Sequence, residues 1–383
     1  MNYQIETQCI HGEKNTSLEH PYGAVSVPIY QTATFAHPGI GVSTGFDYSR
    51  QSNPTRSELE RTVSALEGAL DTTACASGMA AISLCLEILK PGSHIVCSED
   101  LYGGSVRIFD AAAEKRNFSF TYVDTSDIVQ TERCITAQTK ALYIETPSNP
   151  TMQVTDIRQM KLLADKYRLL LIVDNTFLSP YFQNPLKLGA DLVVHSGTKF
   201  LGGHNDTLAG FVCTCRQDLA DQIRYFYKTT GGCLSPFDSF LILRGIKTLA
   251  VRQERQQSNA KKIAEWLKTQ KKIRNVYYVG LPEHPGFEVN RSQSRGAGSM
   301  ISFRTDTEET ARKTLEKLKL ITYAESLGGV ETLITYPMLQ THGDVPAETR
   351  EKLGITGDFL RLSVGIEAAE DLIGDLEQAL QKN

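Results

Sequence analysis

The chain of 383 residues has a formal net charge of −4, with 41 % hydrophobic and 22 % charged residues, which is the composition of a soluble globular protein. This balance favours neither nucleic acid nor a membrane as partner, and no apolar run reaches the ~20 residues that span a bilayer. The N-terminus lacks the basic and apolar segments of a signal peptide, so we expect a cytoplasmic protein. The eight cysteines are scattered without zinc-ligand spacing, and we predict that they are reduced and bind no metal.

The first segment of the chain, residues 1–50, contains many prolines and glycines and shows little hydrophobic periodicity. This pattern predicts an extended arm. The next stretch, "SNPTRSELERTVSALEG", predicts a helix that is capped by Asn53 and ends at Gly68. Thr55 and Glu58 have the spacing of a capping box at the start of this helix.

Apolar strand-like runs alternate with helical patterns between residues 68 and 214. The runs are "HIVC" at 94, "FSFTYV" at 118, "ALYIE" at 141, "LLLIVD" at 169, "DLVVH" at 191 and "GFVCT" at 210. This alternation predicts an α/β fold, a mostly parallel sheet sandwiched by helices. Cys213 and Cys215 alternate along the last run, so both should face one side of a strand.

The C-terminal part has a different pattern. A helical region at about 236–270 is followed by strand-like "NVYYVG", "SMISF", "ETLITY" and "FLRLSVGIE", with helical patterns between them. This mixture predicts a smaller α+β domain. We therefore divide the chain into an arm (1–50), a large domain (51–249) and a C-terminal domain (250–383).

Polar side chains follow several of the predicted strands. Tyr102 comes after the run at 94, Asn149 comes after the run at 141, and Asp174 ends the run at 169. The run at 191 leads into the hydroxyls and the lysine of "SGTK". Because ligands bind beyond the carboxyl ends of parallel strands, we expect these side chains to line one site.

Pyridoxal 5'-phosphate is a small molecule that explains this set. Its phosphate needs helix N-terminal N–H groups and hydroxyls. Its aldehyde needs a lysine, its ring nitrogen needs a buried carboxylate, and its ring face needs a flat partner. The residues that match these needs, in that order, are Gly78, Met79, Ser196, Thr198, Lys199, Asp174 and Tyr102.

Each of these residues also has an ordinary interpretation. Asp174 could be a helix cap or a magnesium ligand, and Tyr102 could lie in a surface turn. A nucleotide site is the main alternative for the whole set. However, the chain contains neither G-x-G-x-x-G nor the P-loop motif, so this set of residues favours pyridoxal phosphate over a nucleotide.

The chain also resembles a known family over about residues 5–380. The matching stretches are "YGAVSVPIY", "YSRQSNPTR", "SGMAAI", "DLYGG", "ETPSNP", "IVDNTF", "HSGTKFLGGH", "SPFDSFLILRGIKTL", "ESLGGVETLI" and "LRLSVGIE". These stretches are similar to the cystathionine γ-synthase-like family, the pyridoxal-phosphate enzymes of cysteine and methionine metabolism. The resemblance implies the aspartate-aminotransferase-like fold (fold type I), amino-acid substrates and a homotetramer built from tight dimers.

The resemblance also implies roles around the cofactor. Lys199 would bind the aldehyde covalently and act as the catalytic base, Asp174 would pair with the ring nitrogen, and Tyr102 would stack on the ring as a second catalytic residue. The residues implied for the phosphate are Gly78, Met79, Ser196 and Thr198, joined by Tyr48 and Arg50 of a neighbouring subunit.

A further set of residues is implied for the substrate. Arg361 would bind the α-carboxylate as a two-pronged ion pair, with Asn149 and Ser326 assisting. Asp47 and Glu325 would attract the distal ammonium of cysteine or cystathionine. Asp47 could equally be a solvated loop charge.

Three positions bear on the type of reaction. Glu325 resembles the acid of γ-type members, Asp47 resembles the acid of the synthases, and Gly104 replaces the cysteine that methionine γ-lyases have. The resemblance therefore predicts cystathionine γ-synthase activity, in which cysteine, or alternatively sulfide, replaces the acyloxy group of O-acetyl- or O-succinylhomoserine. The alternative is a cystathionine γ-lyase or β-lyase, which releases a keto acid and ammonia.

Overall fold

The computed structural model describes residues 3–343 and 345–381. Within the arm, one helix, α1 (Ile5–His11), packs against the next helix of the chain and buries Cys9. The arm also contains two short 3₁₀ turns (Ser17–Glu19 and Pro21–Gly23) and is otherwise irregular and mostly exposed. Helix α1 was not predicted, because a seven-residue helix that is stabilised by packing has too few turns to show periodicity.

Helix α2 (Pro54–Glu67) begins and ends where the sequence predicts. The side chain of Asn53 accepts a hydrogen bond from the Thr55 N–H at 3.0 Å. At the other end Gly68 takes the left-handed conformation, with a φ of 76°, and its N–H binds the Ser64 carbonyl. The expected start and end of this helix are confirmed.

The predicted capping box of α2 is wrong. Thr55 Oγ1 instead donates to the Pro28 carbonyl at 2.8 Å and accepts the Tyr30 N–H at 2.9 Å. Glu58 accepts a hydrogen bond from Thr16 Oγ1 at 3.0 Å. Both side chains therefore attach the arm to the helix, because the arm offers partners that the local sequence pattern does not reveal.

The large domain contains a seven-stranded sheet. Its strands are β1 (Asp71–Cys75), β2 (His94–Ser98), β3 (Ser119–Val123), β4 (Thr139–Glu145), β5 (Leu170–Asp174), β6 (Leu192–Ser196) and β7 (Gly210–Thr214). The spatial order is β1-β7-β6-β5-β4-β2-β3, in which β7 is antiparallel to β1 and β6 and the other pairs are parallel. The expected mostly parallel sheet is confirmed.

Helices cover both faces of this sheet, and a separate apolar cluster lies between each face and its helices. They are α3 (Gly78–Glu87), α4 (Gly103–Arg116), α5 (Ile128–Arg133), α6 (Ile157–Tyr167), α7 (Ser179–Phe182) and α8 (Gln217–Thr230). Strand β1 was not predicted, since its "DTTAC" sequence lacks an apolar run. The expectation for Cys213 and Cys215 is wrong: β7 ends at Thr214, so Cys213 is buried and Cys215 is exposed.

The predicted helical region at 236–270 consists of two helices, α9 (Pro236–Ile246) and α10 (Leu249–Leu267). A second sheet follows, with β8 (Ile273–Tyr277), β9 (Met300–Thr305), β10 (Thr322–Tyr323), β11 (Leu333–Thr335) and β12 (Phe359–Ser363) in the order β10-β11-β12-β9-β8. The remaining helices are α11 (Phe287–Gln293), α12 (Glu308–Lys317), α13 (Ala347–Lys352) and α14 (Ala369–Gln381). In the ranges described, no helix has both the length and the apolar character needed to cross a membrane.

Candidate active site

A cavity of about 220 Å³ lies where the carboxyl ends of the large-domain strands meet the second sheet. Most of the predicted site residues line it: Gly78, Met79, Tyr102, Asn149, Asp174, Ser196, Thr198, Lys199, Glu325, Ser326 and Arg361. Residues from nearly the whole chain therefore meet in one place.

Three predicted residues do not line this cavity within the single chain. Asp47, Tyr48 and Arg50 lie on the arm, with exposed or half-exposed side chains. The Arg50 guanidinium lies over the Tyr48 ring and donates a hydrogen bond to the Lys228 carbonyl. Their roles toward the cofactor or substrate stay predictions that require a second copy of the chain.

The N-terminus of α3 forms one wall of the cavity. Ser77 Oγ caps the helix by accepting the Ala80 N–H at 3.1 Å. The N–H groups of Gly78 and Met79 have no hydrogen-bond partner among the residues described. A Cβ on Gly78 would lie 3.0 Å from the Ser196 Cβ, so only glycine lets this hydroxyl approach so closely. Free N–H groups at a helix N-terminus beside a hydroxyl suit a phosphate.

Lys199 lies in the turn after β6, with its amine in the cavity. The Nζ donates a hydrogen bond to Ser326 Oγ at 2.7 Å. Burial, assisted by the nearby charge of Arg361 and opposed by Glu325, lowers the pKa of Lys199 from 10.5 to about 8. A substantial share of this amine is therefore neutral, and nucleophilic, near pH 8.

This shift predicts how the reactivity of Lys199 depends on pH in the cofactor-free protein. Labelling by acetic anhydride should rise about tenfold per pH unit and level off above about pH 8, because only the neutral amine reacts. Mass spectrometry of the Lys199 peptide measures the rate, and a short lysine peptide, with a pKa of about 10.4, is the reference. A rate that keeps rising to pH 10 would contradict the shift.

Asp174 ends β5, and its side chain is 7 % exposed. Its Oδ1 accepts hydrogen bonds from the Thr176 N–H at 3.0 Å and from Thr176 Oγ1 at 2.6 Å. Burial raises the pKa of Asp174, and the bonds from Thr176 oppose this effect. Oδ2 takes no part in these bonds, so it is the oxygen that can accept an N–H from a ligand.

Arg361, on β12, is 1 % exposed and forms no ion pair with another described residue. Its side chain donates to Asn149 Oδ1 at 2.7 Å, to the Ser326 carbonyl at 2.9 Å and to Thr335 Oγ1 at 2.9 Å, whereas its buried Nε has no partner. Burial lowers the pKa of Arg361 to about 10. A buried cation that has a free N–H and donates its other hydrogen bonds to neutral acceptors is a site for an anion.

The loop 326–329 brings the second sheet against the Lys199 turn. Ser326 has a φ of 96° and Gly328 a φ of 79°. A Cβ on Gly328 would lie 2.7 Å from the Phe200 nitrogen, so a larger residue would push this loop away from Lys199. The glycine thus permits the contact between Ser326 and the lysine.

Among the cavity residues that sequence reasoning missed, Thr176 and Glu145 hold predicted site residues in place. Thr176 holds Asp174, and Glu145 accepts the Tyr102 N–H on Oε2 at 3.0 Å. Glu145 ends β4 just as Asp174 ends β5. The rule that ligands lie beyond the carboxyl ends of strands could therefore have identified Glu145 too.

These features fit pyridoxal phosphate: an anion site at a helix N-terminus, a reactive lysine, a buried carboxylate and a tyrosine at the cavity wall. Together with the two-sheet architecture they define a pyridoxal-phosphate-dependent enzyme of the aspartate-aminotransferase-like fold type. The comparisons with known proteins agree. Residues 6–381 match the family described as Cys/Met metabolism PLP-dependent enzyme, and the chain belongs to this family.

Similar proteins carry three different activities in their names. Cystathionine beta-lyase of Lactococcus lactis subsp. cremoris (strain MG1363) is 45 % identical, covering 99 % of each chain. Cystathionine gamma-lyase of Bacillus subtilis is 46 % identical, covering 98 % of this chain and 99 % of the relative. The structure of cystathionine gamma synthase from Xanthomonas oryzae pv. oryzae with aminoacrylate and cysteine superposes with a TM-score of 0.95, at 41 % identity, covering 99 % and 98 % of the two chains.

Proposed function

We propose that the protein catalyses γ-replacement, in which the sulfur of cysteine displaces the acyloxy group from Cγ of an O-acylhomoserine, so that cystathionine forms and the acyloxy group leaves as a carboxylate. The observation that carries this proposal is the position of Glu325. Its carboxylate lines the cavity beside Lys199 and Ser326, and it also lines a neighbouring hollow, yet it forms no ion pair with another described residue. Such a group suits the ammonium of an amino acid that enters as the second substrate.

Each residue around the cofactor would have its own role in the reaction. When bound, pyridoxal phosphate links to an amine through its aldehyde and withdraws electrons from the substrate Cα. Lys199, once displaced by the substrate amine, would take the proton from Cα. After passing this proton on, it would take a second proton from Cβ, which γ-chemistry requires. Asp174 would hold the ring nitrogen protonated, and Tyr102 would cover the ring. The proposed phosphate ligands are Gly78, Met79, Ser196 and Thr198.

Arg361 would orient the amino-acid substrate. Its free Nε would bind the α-carboxylate, while Asn149, Thr335 and the Ser326 carbonyl hold the guanidinium in place. A fixed carboxylate sets the direction in which Cα and Cβ face Lys199.

Glu325→Ala should weaken the reaction with cysteine more than the reaction with sulfide, which has no ammonium to bind. Loss of this interaction should cost about 1–3 kcal/mol, or roughly 10- to 100-fold in kcat/KM for cysteine. Both reactions are measured with the same ester. Glu316→Ala, an exposed glutamate on α12, is the control and should change neither reaction. Equal losses with cysteine and sulfide would contradict the proposed role.

Two other positions favour a synthase among the family members. Asp47 resembles the acid of the synthases, and Gly104 stands where methionine γ-lyases have cysteine. In the single chain, the Asp47 carboxylate accepts a hydrogen bond from Ser43 Oγ at 2.7 Å on the exposed arm. Its proposed contact with substrate therefore lies in the site of a neighbouring subunit.

We also propose a homotetramer built from dimers that share their sites. The arm exposes large apolar side chains almost completely, among them Leu18, Tyr22 and Ile40. Large exposed apolar side chains concentrated on one segment of the chain favour an interaction site there. A second copy that covers the arm would bring Tyr48 and Arg50 to its partner's phosphate. A cytoplasmic location is supported by the eight free thiols, since oxidising compartments favour disulfides.

A lyase is the second candidate, because the Lactococcus and Bacillus relatives are named cystathionine lyases. Product analysis of the purified protein distinguishes the two. One tube contains O-acetylhomoserine and cysteine, and the other contains cystathionine alone. Cystathionine should form in the first tube. Rapid cleavage in the second tube without synthesis in the first would replace the synthase proposal by the lyase. A repeat with the succinyl ester and with sulfide defines both substrates.

A further inference from the structure

Two buried carboxyl groups lie side by side beneath the cavity. Glu145 and Asp174 are register partners on the adjacent parallel strands β4 and β5, so their side chains leave the same face of the sheet. They are 5 % and 7 % exposed, and both line the cavity. Two negative charges in such neighbouring positions repel each other strongly in a site with so little water.

The two carboxyl groups differ in their hydrogen-bond partners. Asp174 Oδ1 accepts two hydrogen bonds from Thr176, which favour its charged form. Glu145 accepts a hydrogen bond from the Tyr102 N–H. Neither group takes part in an ion pair among the described residues.

The charged and titratable groups nearby make a negative charge less favourable on Glu145 than on Asp174. Burial and then Asp174 raise the pKa of Glu145 well above its ordinary value, and Asp100 adds to this effect. Arg361, on β12, opposes this rise in pKa, but its guanidinium donates hydrogen bonds to neutral acceptors. On Asp174, a neighbouring charge on His195 would favour the carboxylate.

We propose that Glu145 is a positioning residue that stays protonated, fixes Tyr102 by accepting its N–H, and leaves Asp174 as the single negative charge beneath the cavity. The backbone bond fixes the start of α4 and hence the place of the tyrosine ring. A neutral partner also keeps the charge of Asp174 available for the ring nitrogen. This inference rests on the proposed cofactor roles of Asp174 and Tyr102, but not on the choice between synthase and lyase.

Infrared spectroscopy of the cofactor-free protein at pH 8 tests the protonation state directly. The difference spectrum between wild type and Glu145→Gln should show the loss of one protonated carboxylic-acid carbonyl band. Glu132→Gln is the matched control, since Glu132 is a half-exposed glutamate paired with Lys166 and Tyr167. Its difference spectrum should show the loss of carboxylate bands only.

Binding of pyridoxal phosphate to the cofactor-free variants tests the positioning role. Glu145→Gln keeps a neutral acceptor for the Tyr102 N–H and should change the Kd by less than about threefold, whereas Glu145→Leu removes the acceptor and should weaken binding about 3- to 10-fold. Asp174→Asn should weaken it about 10- to 100-fold, as expected for a charged hydrogen bond.

Three results would overturn the proposal. They are a Glu145→Gln difference spectrum that shows the loss of carboxylate bands, a Glu145→Gln protein that does not fold, and a change in its Kd of more than tenfold. The infrared result does not depend on the cofactor. It therefore separates a failure of this inference from a failure of the proposed function, which a wild-type protein unable to bind pyridoxal phosphate would reveal.

Discussion

Lys199→Ala should lose at least about 10³-fold in turnover, since proton transfer by a positioned base alone contributes roughly 10²- to 10⁴-fold. The substitution removes both the amine that would hold the aldehyde and the base that would serve Cα and Cβ. The variant should also lose the visible absorbance of lysine-bound cofactor, although non-covalent binding can persist. Steady-state kinetics and absorbance spectra measure the two effects.

The control for this variant is Lys261→Ala, an exposed lysine on α10 that lines none of the cavities described above. It should keep full turnover and the wild-type spectrum. A Lys199→Ala protein with more than a tenth of wild-type turnover would exclude Lys199 as the base.

The same variant tests whether subunits share their sites. Lys199→Ala subunits mixed with Tyr48→Phe/Arg50→Ala subunits should regain activity, because one site of a mixed dimer then carries neither defect. The mixture is prepared by unfolding and refolding both variants together. No recovery from a mixture shown to contain mixed dimers would place Tyr48 and Arg50 in their own chain's site or in none.

Arg361→Lys should lose about 2–4 kcal/mol of binding to the substrate carboxylate, or roughly 30- to 1,000-fold in kcat/KM, although the charge is kept. The guanidinium is held by Asn149 Oδ1, the Ser326 carbonyl and Thr335 Oγ1, and its free Nε provides a planar N–H. A lysine ammonium has only three donors, so it cannot satisfy these three acceptors and also bind the carboxylate.

Cofactor affinity distinguishes substrate binding from a structural role. The Kd for pyridoxal phosphate should be nearly unchanged in Arg361→Lys. Arg304→Lys, on the neighbouring strand β9 and paired with Asp358, is the matched control and should keep its kcat/KM. Equal losses of cofactor and substrate affinity would identify Arg361 as a structural residue.

The local features of the chain were predictable from the sequence. Asn53 and Gly68 mark the start and the end of α2, and Ser77 caps α3. Such caps can be recognised in the sequence because they depend on residues only a few positions apart. The parallel sheet followed from apolar runs that alternate with helical patterns. The strand pattern also predicted that Asp174 and Lys199 line one site, because the carboxyl ends of parallel strands meet at one edge of a sheet.

Only the tertiary structure decided the contacts between distant segments. Arg361 meets Asn149 across 212 positions of the chain, and β1 forms although its own sequence is a poor strand, because it pairs with β7 along its whole length. The register of β4 and β5 sets Glu145 beside Asp174. The register of two strands cannot be read from a local sequence pattern, because it results from the packing of both sheet faces against helices. This packing decides which carboxyl groups become neighbours.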